Sequence, residues 1–195
     1  TRVAPKELPS GGVVRITGVF RLAPNKRPML WLNTVLALQR SGRYDIRPRM
    51  VGVGPLRDQV LAHAKSIGLA NFELDGGLVD PADIYGDADV VLLMSRIEGT
   101  PNVLLEAQAM GIAAAGCDVG GVSEAVLGSG EGAGLILPED ITAQGAAQRI
   151  EYWLPQAVTN DPAKRTAHIR ENFSLDSLGS RAIRAYGFDD GASGP

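Results

Sequence analysis

The sequence predicts an α/β protein: a Rossmann-like, doubly wound, mostly parallel sheet of about six strands with helices on both faces. Two observations predict it. From Gly12 onward, short β-branched runs alternate with amphipathic segments, and such alternation closes as a parallel sheet with helical crossovers. The run Ala88–Met94 (ADVVLLM) is almost continuously apolar, as a strand covered on both faces must be.

The elements follow in order. Residues 13–19 read as a strand. Residues 28–40 (PMLWLNTVLALQR) carry apolar side chains at helical spacing and stop at Ser41-Gly42. Residues 46–53 form the next strand, closed by Gly54-Pro55. Residues 56–67 form a helix with Gly68 in the C-cap role. A short strand at 71–74 ends at Gly76-Gly77. Asp80 then serves as N-cap and Pro81 as first residue of a short helix. After the buried strand 88–94 come a loop, a helix starting near Asn102 and a strand at 112–117. A loop at 118–121, a short helix at 122–127 and a strand at 134–137 follow. Helices at 142–154, 162–172 and 175–186 complete the chain. Residues 1–12 read as a linker or tail, 13–187 as one domain, and 188–195 as a flexible tail.

Composition excludes several functions. The chain has 195 residues and a net charge of -3, from 19 Lys+Arg against 22 Asp+Glu, with no basic run. Aromatic residues make up only 5%. Neither a nucleic-acid footprint nor a base-stacking platform is present. Cys117 is the single cysteine and reads as a small buried side chain. His63 and His168 lie far apart, so a structural zinc site is not expected. No apolar stretch approaches the about 20 residues of a membrane span.

In a sheet of this kind, ligands bind beyond the carboxyl ends of the strands, near a switch in strand order. The segment SRIEGTPNVLLEAQAMG, residues 95–111, is one such strand-loop-helix passage. Thr100 or Asn102 can cap its helix. The N–H groups of Asn102, Val103 and Leu104 are then expected to point unpaired into the cleft, where they attract phosphate. Gly99 lets the chain pass close to a ligand. Glu106 lies one turn further in, roughly 6 Å along the axis. Its two acceptor oxygens match the two hydroxyls of a ribose. Glu98, on the loop, is expected to face whatever hangs from the far end of a diphosphate. The loop VFRLAPNKR after the first strand supplies Arg21, Lys26 and Arg27. Arg21 can fork onto phosphate oxygens, and Lys26 adds a point charge.

The ordered segments TGVFRLAPNKRP, MVGVGPLRDQV, FELDGGLVDPADIYGDADVVLLMSRIEGTPNVLLEAQAMG and DVGGVSEAV resemble the C-terminal half of a group 1 retaining glycosyltransferase of the GT-B fold. The likeness runs from about Val13 to Tyr186. Its most specific element is Glu98, seven residues, Glu106, the E-x7-E motif. The resemblance implies that Arg21 and Lys26 contact a donor diphosphate, Glu98 the transferred sugar and Glu106 the ribose. It implies further donor contacts at Gly18, Gly99, Thr100, Asn102, Val103 and Leu104, with Val79 near the base. Catalytic work is expected of Arg21, Lys26 and Glu98. The resemblance implies a nucleoside diphosphate sugar as donor, with no cofactor and no metal. Ala113 stands where the family often has proline.

A complete enzyme of this kind also has an N-terminal acceptor domain, for which this chain has no room. The expectation is an excised donor-binding piece, inactive alone, whose partner is that missing domain. A cytoplasmic location, peripheral to the inner membrane through the absent domain, is the family-level expectation. So is a role in polysaccharide synthesis by hexosyl transfer.

Other features have plainer readings. Gly52-Val53-Gly54 mimics a dinucleotide fingerprint but reads as a tight strand-to-helix turn. Asp87-Ala88-Asp89 resembles a metal-binding pair but precedes a strand, so it reads as strand entry. The Gly120-Gly121 turn and Glu124 stay open between local turn or cap roles and the cleft. Trp31 and Trp153 read as core, and His63 as helix surface. Half of a nucleotide-sugar epimerase and a non-catalytic interaction module are the alternative functions.

Overall fold

The structure is a computed structural model, and it describes residues 8–77, 80–128, 130, 132–174 and 177. Among these residues the strands are β1 (Val13–Val19), β2 (Asp45–Val51), β3 (Glu73–Asp75), β4 (Val90–Leu93), β5 (Ala113–Cys117) and β6 (Leu135–Leu137). The helices are α1 (Pro28–Ser41), α2 (Arg57–Ser66), α3 (Pro81–Tyr85), α4 (Asn102–Ala109), α5 (Val122–Ala125), α6 (Ala143–Thr159) and α7 (Ala163–Phe173). A 3-10 turn, Pro24–Lys26, precedes α1. Val79, the helix expected at 175–186, the tail 188–195 and most of the linker 1–12 lie outside the described residues.

The sheet has the order β3-β2-β1-β4-β5-β6, and each strand pair is parallel. The chain builds outward from β1 to β3, then returns past β1 to build the other way. With right-handed crossovers, α1 and α2 cover one face while α3, α4 and α5 cover the other. The last helices follow suit: α6 packs on α1, and α7 packs on α4. The strand order reverses between β1 and β4, which makes their carboxyl ends the switch point.

Coverage of the two faces is uneven. β4 and β5 are buried along their whole length, as the run 88–94 predicts. β1 and β2 alternate instead: Val14, Ile16 and Ile46 are buried, while Arg15 and Arg47 are exposed. Among the described residues, the second face over β1–β3 carries only the five-residue α3. Arg49 ties that short helix down. Its Nε meets Asp75 Oδ2 at 2.7 Å, and its Nη atoms donate to the carbonyls of Asp83 and Ile84.

The core contains both tryptophans, as expected. Trp31 Nε1 donates to Leu92 O at 3.1 Å and Trp153 Nε1 to Ala133 O at 3.0 Å, so each ring is buried with its polar end satisfied. Cys117 is buried, and burial raises its pKa despite the opposing pull of nearby Arg27. Asp80 caps α3 by accepting the Ala82 N–H at 2.8 Å. Asp89 accepts the Arg15 N–H at 2.8 Å at the entry to β4, the strand-entry role read from sequence. The 52–55 turn is fastened by Leu22 N–H to Val53 O and Leu56 N–H to Leu22 O.

One helix boundary needs correction. The sequence puts a helix end at Leu154, before Pro155, yet α6 runs through to Thr159. Proline removes one backbone donor. Leu154, Ala157 and Val158 stay buried on the same helix, and that apolar burial offsets the loss. Beyond α6, Arg165 is buried and donates to Gly132 O, Gly111 O and Ala157 O. Burial lowers its pKa to about 10, so it stays charged at neutral pH while fixing α7 to the body.

Candidate functional site at the strand-order switch

The loops leaving β1 and β4 meet at the switch point and are bound together. Arg96 N–H donates to Asn25 O at 2.7 Å. Arg27 adopts a left-handed φ of 49 between the 3-10 turn and α1. Its guanidinium donates to Met94 O at 2.5 Å, Ser95 O at 2.9 Å and Glu139 O at 2.7 Å. Arg27 thus serves the rim itself, unlike its two basic neighbours.

Lys26, one residue earlier, reaches the next loop. Its Nζ lies 2.5 Å from Glu98 Oε1. The sequence sets Lys26 on a diphosphate and Glu98 toward the group beyond its far end, and the structure pairs the two directly. The Glu98 side chain is 9% exposed and that of Lys26 21%, so water screens the pair only partly. An ammonium has three donors, so two remain after Glu98 takes one. Arg21 is exposed.

The loop after β5 closes the far side of Glu98. Gly121 N–H donates to Gly99 O at 2.9 Å. Gly120 has φ +55, and a Cβ there would sit 1.9 Å from Glu98 O. Only glycine fits such a contact in that conformation. This brings the Gly120-Gly121 turn to the site. Glu124 lies in the first turn of α5 without capping it by its side chain.

The start of α4 differs from expectation. Pro101 occupies the N-cap position, and no side chain caps the helix. Thr100 lies one residue too early to do so, and Asn102 is already inside the helix. Of the three N–H groups expected to be unpaired, two are paired: Asn102 with Thr100 O at 3.0 Å and Leu104 with Pro101 O at 2.9 Å. The tight first turn spends them internally. The Val103 N–H is left without a hydrogen bond among the described residues. Gly99, Thr100 and Asn102 are exposed, while the Leu104 side chain is buried in the core. Gly18 is buried within β1, where a Cβ would meet Trp31 and Phe20 within 2.9 Å.

Glu106 is exposed on α4 but not adrift. Tyr85, at the end of α3 and only 1% exposed, donates its hydroxyl to Glu106 Oε2 at 2.6 Å. The tyrosine pKa is raised, by burial first and then by the glutamate. The hydroxyl therefore stays protonated and donating. No group of three or more His, Cys, Asp or Glu able to hold a metal occurs among the described residues.

The family described as "Glycosyl transferases group 1" matches residues 13–155 of this chain. The chain belongs to the group 1 glycosyltransferases. It is 32% identical over 193 residues to a D-inositol 3-phosphate glycosyltransferase of Kineococcus radiotolerans, covering 90% of this chain and 41% of that protein. It is 30% identical to the Vi polysaccharide biosynthesis protein VipC/TviE of Salmonella typhi, covering 84% of this chain and 28% of that protein. The chain thus spans less than half the length of these relatives. Among solved structures, the lipopolysaccharide outer core galactosyltransferase WaaB superposes with a TM-score of 0.77 at 16% identity, covering 96% of this chain and 52% of that one. The Anabaena protein HepE, solved with UDP, gives 0.74 at 18% identity, covering 90% of this chain and 49% of that one. The architecture is that of the C-terminal-type half of a GT-B glycosyltransferase. None of its described helices is long and apolar enough to cross a membrane.

Sequence reasoning missed two contributors to this glycosyltransferase rim. Arg27 stood out as a third cation, but its three carbonyl partners come from loops far along the chain. Tyr85 lies in DIYGDADV with no local sign of a partner at position 106. Only the crossover that sets α3 near α4 brings the two together.

Proposed function

We propose that this chain is the donor-binding half of a retaining glycosyltransferase that moves a hexosyl group from a nucleoside diphosphate sugar to an acceptor. The Lys26–Glu98 pair at the strand-order switch carries the reading. A cation and an acid there match the two parts of such a donor. Lys26 and exposed Arg21 take the diphosphate, and Lys26 has two donors to offer it while still holding Glu98. The Val103 N–H, with Gly99, Thr100 and Asn102, lines the approach. The Leu104 N–H, already bonded to Pro101 O, joins only if the first turn of α4 loosens. Gly18 acts through its backbone, and the base lies toward Val79. Glu98 orients the transferred sugar, and Glu106 takes the ribose.

During transfer the bond from the anomeric carbon to the diphosphate oxygen breaks and its electron pair leaves with the diphosphate, while the acceptor hydroxyl oxygen forms the new bond to that carbon and gives its proton to the departing diphosphate. Arg21 and Lys26 stabilise that charge without a metal. The acceptor enters from the half that relatives carry and this chain does not span. Alone, the chain binds donor but does not transfer. The name of the Vi polysaccharide relative supports a polysaccharide as product; its synthesis on the cytoplasmic side, with the other half meeting the membrane, is part of the proposal.

Thermal shift of the complete protein with UDP, GDP and ADP tests the reading, because a ligand that binds only the folded state raises the melting temperature. At least one should stabilise it, and Lys26→Ala should remove the shift. Absence of any shift favours a non-catalytic module. Epimer formed from the donor, with no transfer, favours the epimerase.

A further inference from the structure

We infer that Tyr85 is a positioning residue for the ribose: its buried hydroxyl fixes Glu106 so that the carboxylate meets both ribose hydroxyls in one set orientation. The inference rests on the proposed function and adds a residue to it.

A glutamate on an exposed helix face has many rotamers, and ordering it on ligand binding costs conformational freedom. Glu106 escapes much of that cost, because Tyr85 Oη holds its Oε2 at 2.6 Å before any ligand arrives. Tyr85 itself cannot swing away. Its ring is in the core, at the end of a helix that Arg49 ties to β3. The position of the hydroxyl is therefore set by packing, and it passes that precision to an otherwise mobile acid.

Acceptor capacity is left over. A carboxylate has about four lone-pair sites, and Tyr85 uses one on Oε2. Oε1 has both of its own, and Oε2 has one more. Two adjacent hydroxyls can then each take a different oxygen. A neutral donor also leaves the negative charge in place, unlike the cation that holds Glu98. The arrangement suits hydroxyl donors and repels a phosphate on the ribose, so the ligand class is an unphosphorylated ribonucleoside diphosphate.

The test measures dissociation constants of UDP, GDP and ADP, each with its 2′,3′-dideoxy counterpart, on the complete protein. The wild type should prefer the ribose form of its best ligand by tenfold or more. Tyr85→Phe, which keeps the ring, should weaken that form about fivefold and leave the dideoxy form unchanged. Glu106→Ala should abolish the preference, and Tyr85→Phe should add nothing on top of it. A Tyr85→Phe protein with the full ribose preference overturns the inference. So does one that fails to fold, because the bond would then belong to folding alone. A preference retained in Glu106→Ala overturns it too. If the wild type binds no nucleoside diphosphate, the donor reading falls first. If it binds without ribose preference, only the role of Tyr85 falls.

Discussion

The two glutamates of the E-x7-E segment sit in opposite electrostatic settings. Glu98 is largely shielded and meets a cation, Lys26, on a loop hemmed in by another loop. Glu106 is exposed on a helix and meets a neutral hydroxyl. A carboxylate paired with a cation is committed to charge balance, and a ligand must share or displace that balance. A carboxylate held by a hydroxyl is oriented without being neutralised. The same side chain thus serves two purposes: the first answers to charge, the second to hydrogen-bond geometry.

The largest effect should come from breaking the charged side. Lys26→Ala in the complete protein should cut kcat by about 100-fold or more, read from steady-state transfer. Unchanged turnover would remove the charge argument. Glu106→Ala should act on binding instead, raising the donor KM about tenfold and lowering kcat much less, as expected for uniform binding. A kcat loss as deep as that of Lys26→Ala would erase the contrast.

Glu98→Gln sharpens the comparison. Freed of its acid, Lys26 should bind sugar-free nucleoside diphosphate roughly two- to fivefold more tightly, in line with the modest worth of a partly exposed pair. Turnover with the full donor should still fall. Calorimetry showing weaker diphosphate binding would mean that Glu98 positions Lys26 rather than competing for it.

The smallest effect concerns pH. Tyr85 is raised above its ordinary value of 10.0. A raised folded-state pKa gives stability that is present below the unfolded value and lost as pH rises toward the folded one. Wild-type stability should therefore decline more steeply above pH 10 than that of Tyr85→Phe, while near pH 7 the two should change with pH alike. Denaturant melts across the alkaline range decide it, and parallel curves would count against a shifted tyrosine.

The sheet was legible because its signals are local: the apolar run through β4, the β-branched run of β1, and the Asp80-Pro81 helix start. Pro155 misled because a local breaker was overridden by burial on its far side. At the site, spacing alone set Lys26, Glu98 and Glu106 at the carboxyl ends of strands and at the start of α4. It could not tell that Lys26 and Glu98 touch, or that Tyr85 and Glu106 do, because those pairs lie 72 and 21 residues apart. The expected ring of unpaired amides failed for a local reason. With Pro101 at the cap, the first turn of α4 closes on itself.

Arg27 has a mechanical consequence. Three carbonyls, two at the exit of β4 and one beyond β6, converge on a guanidinium rooted beside the lysine that faces the cleft. Pulling one of these segments outward strains all of them, so the lip moves as a block or stays still. Widening or narrowing of the cleft therefore falls to whatever lies opposite it, while on this side rearrangement is left to side chains such as that of Lys26.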